Sequence, residues 1–257
     1  MTPLVAGAVG SFAAGMMTAL GAVPILLGRS VTARTQDVLL GFAAGVMLAA
    51  SFFSLIIPSL EVSERLYGNG VWPALIAVIG ILLGGATILA LDRMIPHRHF
   101  VSGAEGPSSE TLKKIWLFVI AITIHNIPEG LAVGIGFGGG NFAGGTELAI
   151  GIGLQNAPEG LAVALALQSE GYSKWYAFIA ASLTGLVEPV AGALGAAAVG
   201  ISEVVLPWGL VFAAGAMIYV ISHEIIPETH RRGHQDAATI GLMIGLVLML
   251  FLDVSLG

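Results

Sequence analysis

The chain has 257 residues, of which 56% are hydrophobic and only 10% charged, with a mean hydropathy of +0.92. A soluble domain carries about a quarter charged residues, so this composition excludes a water-soluble globular protein and points to one that crosses a membrane repeatedly. Zero Cys excludes disulfides and thiolate metal sites, and a formal charge of −6 without any basic patch excludes a nucleic-acid partner.

Apolar stretches of spanning length, about 20 residues, fall at 3–28, 36–60, 71–92, 114–137, 146–168, 173–199, 205–228 and 236–256. They predict an all-α polytopic membrane protein of eight transmembrane helices forming a single transport domain over 1–257. The first stretch lacks a basic n-region and exceeds a signal-peptide core, so it reads as a helix rather than a cleaved leader. The loops after segments one, three, five and seven carry nine of the ten Lys+Arg: Arg29, Arg34, Arg93, Arg98, Lys113, Lys114, Lys174, Arg231 and Arg232. Only Arg65 lies in an even loop. The positive-inside rule then places the odd loops in the cytoplasm and both termini outside. The stretch 93–112, with His97, His99 and Gly103-Ala-Glu-Gly-Pro-Ser-Ser, reads as a flexible, solvated cytoplasmic loop.

The outer segments resemble one another. Phe42-Ala-Ala-Gly-Val-Met47 in segment two recurs as Phe212-Ala-Ala-Gly-Ala-Met217 in segment seven, and Ile56-Ile-Pro58 recurs as Ile225-Ile-Pro227. Gly80, Gly84 and Leu89-Ala-Leu-Asp92 in segment three match Gly241, Gly245 and Leu250-Phe-Leu-Asp253 in segment eight. An odd separation in the chain makes each pair antiparallel. The expectation is an inverted repeat, segments 1–3 against 6–8 with four and five between them, a 3+2+3 arrangement of the kind that secondary transporters build around a midplane site.

Segments four and five carry the chemistry. His125-Asn-Ile-Pro-Glu-Gly-Leu-Ala-Val is followed by Gln155-Asn-Ala-Pro-Glu-Gly-Leu-Ala-Val. At 1.5 Å per residue His125 lies about 17 Å from Lys114, near the bilayer centre. His125 and Glu129 share a helix face, and Asn126 points to a neighbouring one; Gln155, Glu159 and Asn156 repeat the geometry. Pro128 and Pro158 free the carbonyls of Ile124 and Leu154 and predict kinks. Segment six adds Glu188-Pro189. Each ionised carboxylate costs roughly 2.5–3.5 kcal/mol at the bilayer centre, on the order of 9 kcal/mol for three. No Lys or Arg lies at that depth, so the balancing charge comes from bound cations or protons. Imidazole, carboxylate and amide oxygens suit a borderline divalent ion such as zinc.

Other residues carry weaker signals. Met47 is a packing residue whose thioether could join His125. Asp92, His223, Glu224, Glu228 and His234 fall toward the cytoplasmic ends of their segments and read either as helix-end residues or as a polar exit. Asp236 and Asp253 read as helix ends. His223-Glu-Ile-Ile-Pro227 has Pro where a zinc protease needs its second His, so the chain does not read as an enzyme.

The two Asn-x-Pro-Glu-Gly phrases, with Glu188 on the next segment, resemble the ZIP (Zrt/Irt-like protein) family of divalent metal transporters, its prokaryotic branch in particular. The resemblance covers all eight segments. It implies import of zinc, and also of cadmium or other divalent ions such as iron or manganese, by alternating access, with the metal as substrate and no cofactor. It also implies a homodimeric tendency and a bacterial inner-membrane location. By position, one metal would bind His125, Glu129, Gln155 and Glu159, with Met47 near. A second would bind Asn126, Glu129, Asn156, Glu159 and Glu188. Many eukaryotic members carry His where Gln155 and Glu159 stand and an acidic residue where Asn156 stands. An ion-coupled carrier of a small organic solute and a channel-like cation pathway are the other readings of the same carboxylates.

Overall fold

The computed structural model describes residues 1–28, 31–94, 97–99, 103–105 and 114–256. Eight helices among them are long and apolar enough to cross a membrane: α1 (Pro3–Leu26), α2 (Ala33–Tyr67), α3 (Val71–Met94), α4 (Lys114–Gly138), α5 (Phe142–Ser169), α6 (Lys174–Ile201), α7 (Val205–His230) and α8 (Gln235–Leu256). Their starts follow from side chains that cap backbone N–H groups: Thr2 for α1, Thr32 for α2, Asn141 for α5 and Ser173 for α6. The second helix runs seven residues past the expected boundary of 60. Glu61–Tyr67 is polar but favourable to helix, and the turn comes only at Gly68, whose φ of 76° suits glycine. In the 93–112 stretch, His97–His99 (β1) and Gly103–Glu105 (β2) form a short antiparallel ribbon, His97 opposite Glu105. The two histidines thus lie on paired backbone rather than in an unstructured loop; Ser108 is outside the described residues.

Proline falls in more than one setting. Pro128 and Pro158 lie inside continuous helices. The interruption falls in α6, where Gly185 and Leu186 form a turn between Lys174–Thr184 and Val187–Ile201. Pro189 has no N–H to return to Gly185, whose carbonyl accepts from Glu188 instead (3.2 Å). Two further helices widen. Residues Ala50–Ile56 of α2 and Ile221–Ile225 of α7 form π turns, with Ile57 N–H bonding Phe52 O and Ile226 N–H bonding Ile221 O. Both precede Ile-Pro, so the missing proline donor lets the ladder slip by one residue at matching places. Such turns often aim side chains at functional sites.

The helices pack in two groups of four. The most extensive pairings are α2 with α8, α1 with α5, α4 with α6 and α3 with α7. Further contacts of α1 with α4 and α6, and of α2 with α3 and α7, join these pairs into one group of α1, α4, α5 and α6 and another of α2, α3, α7 and α8. Glycine explains the closeness within each group, since backbones approach where no Cβ intervenes. A Cβ on Gly130 would overlap the Glu188 carbonyl, on Gly134 that of Gly192, and on Gly160 that of Thr18. In the second group Gly45 meets Leu242 O, Gly84 meets Phe212 O and Gly245 meets Phe42 O. Between the groups, Gly139, Gly151 and Gly209 meet only the side chains of Leu206, Met249 with Val46, and Ile135. Among the described residues, every glycine pressed against another helix's backbone is pressed within its own group. Within each group the helices touch backbone to backbone, while the three glycines at the seam meet side chains.

Candidate metal site

The first group holds most of the polar centre. His125, Asn126, Glu129, Gln155, Asn156, Glu159 and Glu188 are all at most 3% exposed. Their amides act as staples. Asn126 Nδ2 donates to Thr184 O of α6 and Asn156 Nδ2 to Ala14 O of α1, both at 3.0 Å. Asn156 Nδ2 also donates to Glu188 Oε1 (2.8 Å) and Gln155 Nε2 to Asn156 Oδ1 (2.8 Å). The break in α6 puts Glu188 in the first turn of a half-helix, where the partial positive charge of the terminus favours a carboxylate.

What remains is a set of oxygens with nothing to accept. Asn126 Oδ1, both oxygens of Glu129, Gln155 Oε1, Glu159 Oε1 and Glu188 Oε2 are buried without a hydrogen bond. Such groups cost about 1–3 kcal/mol each, more when charged, so a cluster of them is a place made for something else to occupy. Glu129 lies within electrostatic reach of both Glu159 and Glu188, and among the described residues no Lys or Arg is buried. No three His, Asp or Glu side chains among the described residues converge tightly enough to hold an ion by themselves. The donors are buried close to one another without forming a closed coordination shell, and amide oxygens make up part of the set.

The second group adds a residue that the sequence placed elsewhere. Glu224, expected in a cytoplasmic exit, lies against the centre: the His125 imidazole donates from Nε2 to Glu224 Oε1 at 2.6 Å, and both side chains are buried. Glu224 lies within the π turn of α7. Asp92 is 1% exposed and, like Glu159, within electrostatic reach of the same imidazole. His223 packs beside Tyr219, ring centroids 5.1 Å apart. Met47 is buried at 1% in the apolar cluster that also contains Ile124, one residue from His125. Glu228 and His234 belong to a different network. Glu228 pairs with Arg231 at 3.1 Å, His234 with Asp37 at 2.7 Å, and Arg232 bonds Gln36, fastening the α7–α8 turn to the start of α2.

Sequence reasoning missed a polar cluster at the opposite end. Ser54 in the α2 π turn donates to Glu147 (2.7 Å) and to Asp253 (3.0 Å). These residues, with Glu61 and Arg65, line a cavity of about 590 Å³. Asp253 is therefore more than a helix end. Glu147 is 2% exposed and is the second residue of the apolar stretch 146–168, where it read as the polar start of a helix.

A family model described as ZIP Zinc transporter matches residues 97–253. The chain is 46% identical to zinc transporter GufA of Myxococcus xanthus over 98% of its own length and 99% of the relative's. It is 47% identical to zinc transporter ZIPB of Bordetella bronchiseptica, over 98% of this chain and 81% of that one. With human zinc transporter ZIP11 the identity is 35%, over 96% of each.

Proposed function

As the chain belongs to the ZIP zinc-transporter family, we propose that it carries divalent metal ions, zinc foremost and cadmium, iron or manganese besides, across the membrane into the cytoplasm. The observation that carries this reading is the buried set of oxygens on Asn126, Glu129, Gln155, Glu159 and Glu188, left without partners and without a buried cationic side chain among the described residues. Divalent cations satisfy both deficits at once; a neutral organic solute leaves the charge unbalanced. Metal is the substrate, with no cofactor and no enzymatic step.

Two ions fit the charge. His125, Glu129, Gln155 and Glu159, with Met47 near, form one set. Asn126, Glu129, Asn156, Glu159 and Glu188 form the other, the shared glutamates bridging as in paired sites about 3.5–4 Å apart. Glu224 acts on the first set by accepting the Nε2 proton of His125, which orients the imidazole so that its other nitrogen would serve as the metal ligand. Asp92 and His223 continue the route inward. Metal analysis of purified protein in excess zinc is expected to give two central ions per chain, and Glu188→Gln to leave one. A single ion unaffected by that substitution would refute the pair.

Transport follows from the seam. The first group slides along the side-chain contacts with the second and carries the ligands between the two membrane faces, which is alternating access by a single unit spanning 1–257. Both termini lie outside a bacterial inner membrane, and the unit forms a homodimer. A Cys at Asn69, in the exposed α2–α3 turn, is expected to react with impermeant reagent from outside only; labelling from the cytoplasm would invert the topology. The direct test of function is uptake into proteoliposomes across zinc, cadmium, manganese and iron. Saturable zinc uptake is the expected result, and the absence of any metal flux would sink the reading.

A further inference from the structure

The polar centre has a near-twin on its other flank. Ala14 O accepts from Asn156 as Thr184 O accepts from Asn126. The Thr18 carbonyl faces Gly160 as the Glu188 carbonyl faces Gly130. Gly15 and Gly185 face each other's carbonyls. All three pairings, Ala14 with Thr184, Gly15 with Gly185 and Thr18 with Glu188, have the spacing of 170 residues that separates Phe42 from Phe212. Thr18 thus stands on α1 where Glu188 stands on α6. A Cβ on Gly185 would lie 3.0 Å from Thr18 Oγ1, and one on Gly15 would lie 3.3 Å from Glu188 Oε1, so the two side chains occupy matching positions across the crossing.

The Thr18 hydroxyl is unusual. It is 1% exposed and has no hydrogen-bond partner. Helical Ser and Thr ordinarily bond the carbonyl four residues back, as Ser11 does with Gly7, Ser51 with Met47 and Thr123 with Val119. For Thr18 that carbonyl is Ala14 O, which already accepts from Asn156. The hydroxyl is turned instead toward the break in α6, at Gly185. Asn126 is bonded to the adjoining Thr184 carbonyl, and its own Oδ1 is likewise buried without a partner. Thr18 and Asn126 thus each bring a neutral oxygen without a partner to residues at the same break, Gly185 and Thr184.

We propose that the Thr18 hydroxyl is a neutral oxygen donor to the coordination sphere of the transported cation, acting with Asn126 Oδ1. The proposal rests on the reading of the centre as a divalent-cation site. A neutral donor suits a transporter, because an ion held by carboxylates on every side would bind too tightly to leave.

The test is zinc uptake and thermal stability of Thr18→Val and Thr18→Ser in proteoliposomes, beside wild type and Glu129→Ala. Thr18→Val removes the hydroxyl at constant shape. It is expected to raise the KM for zinc roughly three- to tenfold, the scale of one lost polar contact. Its Tm should stay equal or rise, because an orphan buried hydroxyl destabilises the fold. Thr18→Ser should restore KM to within about twofold of wild type. A lowered Tm with wild-type KM in Thr18→Val would show a packing role and overturn the proposal, as would equal damage by both substitutions. If wild type takes up zinc and Thr18→Val matches it, the Thr18 assignment alone falls. If wild type takes up no metal, the transport reading itself falls.

Discussion

Glu129→Ala and Glu159→Ala are each expected to abolish zinc uptake, by at least about 100-fold, while the protein still reaches the membrane. Each glutamate belongs to both proposed ion sites, so its loss empties two coordination spheres rather than one. Both are buried, and the oxygens of Glu129 and Oε1 of Glu159 lack hydrogen bonds. Neither carboxylate is known to fasten a helix backbone as the amides of Asn126 and Asn156 do, so removing it relieves a buried charge more than it breaks a staple. The signature is therefore a loss of transport without a loss of Tm. Initial rates in proteoliposomes, with thermal unfolding in detergent, measure both. Robust uptake by either variant would remove the central site from the mechanism. A collapsed Tm with residual uptake would assign these glutamates to packing.

Gly84→Leu and Gly245→Leu are expected to prevent folding. At Gly84 a Cβ overlaps the Phe212 carbonyl, and at Gly245 that of Phe42, so backbone and not a mobile side chain would have to move. Overpacking of this kind costs about 3 kcal/mol or more, a large part of a domain's total stability. Neighbouring Gly85 is the control, since its Cβ would meet Gly215 O only at 3.7 Å, an ordinary contact. Gly85→Ala should be neutral or stabilising by up to about 1 kcal/mol, because alanine favours helix. Gly209, on the seam, faces the tip of Ile135, so Gly209→Ala should fold and act mainly on transport rate. The yield of monodisperse protein and its Tm decide the matter. Wild-type stability in Gly84→Leu would mean that the α3–α7 pair does not touch backbone to backbone.

Hydropathy found the eight helices because spanning a bilayer is a local property: about 20 apolar residues suffice whatever surrounds them. The central donors were legible for the same reason. Polar side chains in apolar helices are conspicuous, and the i, i+4 spacing of His125 with Glu129 sets their common face without reference to any neighbour. The similarity of Phe42–Met47 to Phe212–Met217 pointed to a repeat before any contact was known. The location of Glu224 was not legible. Counting residues put it near a helix end, but it lies in the π turn of Ile221–Ile225 and against His125. That slip depends on how α7 packs as well as on Pro227. The break in α6 at Gly185 was not legible either, since it falls in an otherwise apolar run, while Pro128 and Pro158 lie inside continuous helices. Thr18 shows the limit most plainly. In sequence it is one Thr in an apolar helix; its meaning depends on Asn156 having taken the Ala14 carbonyl, a bond between residues 142 apart. Composition and periodicity determined the class, the spans and the donor types, since each is decided within a few turns of chain. Which helices form each group, and which oxygens are left over at the centre, only the tertiary structure decided, because both are set by competition among partners distant in sequence.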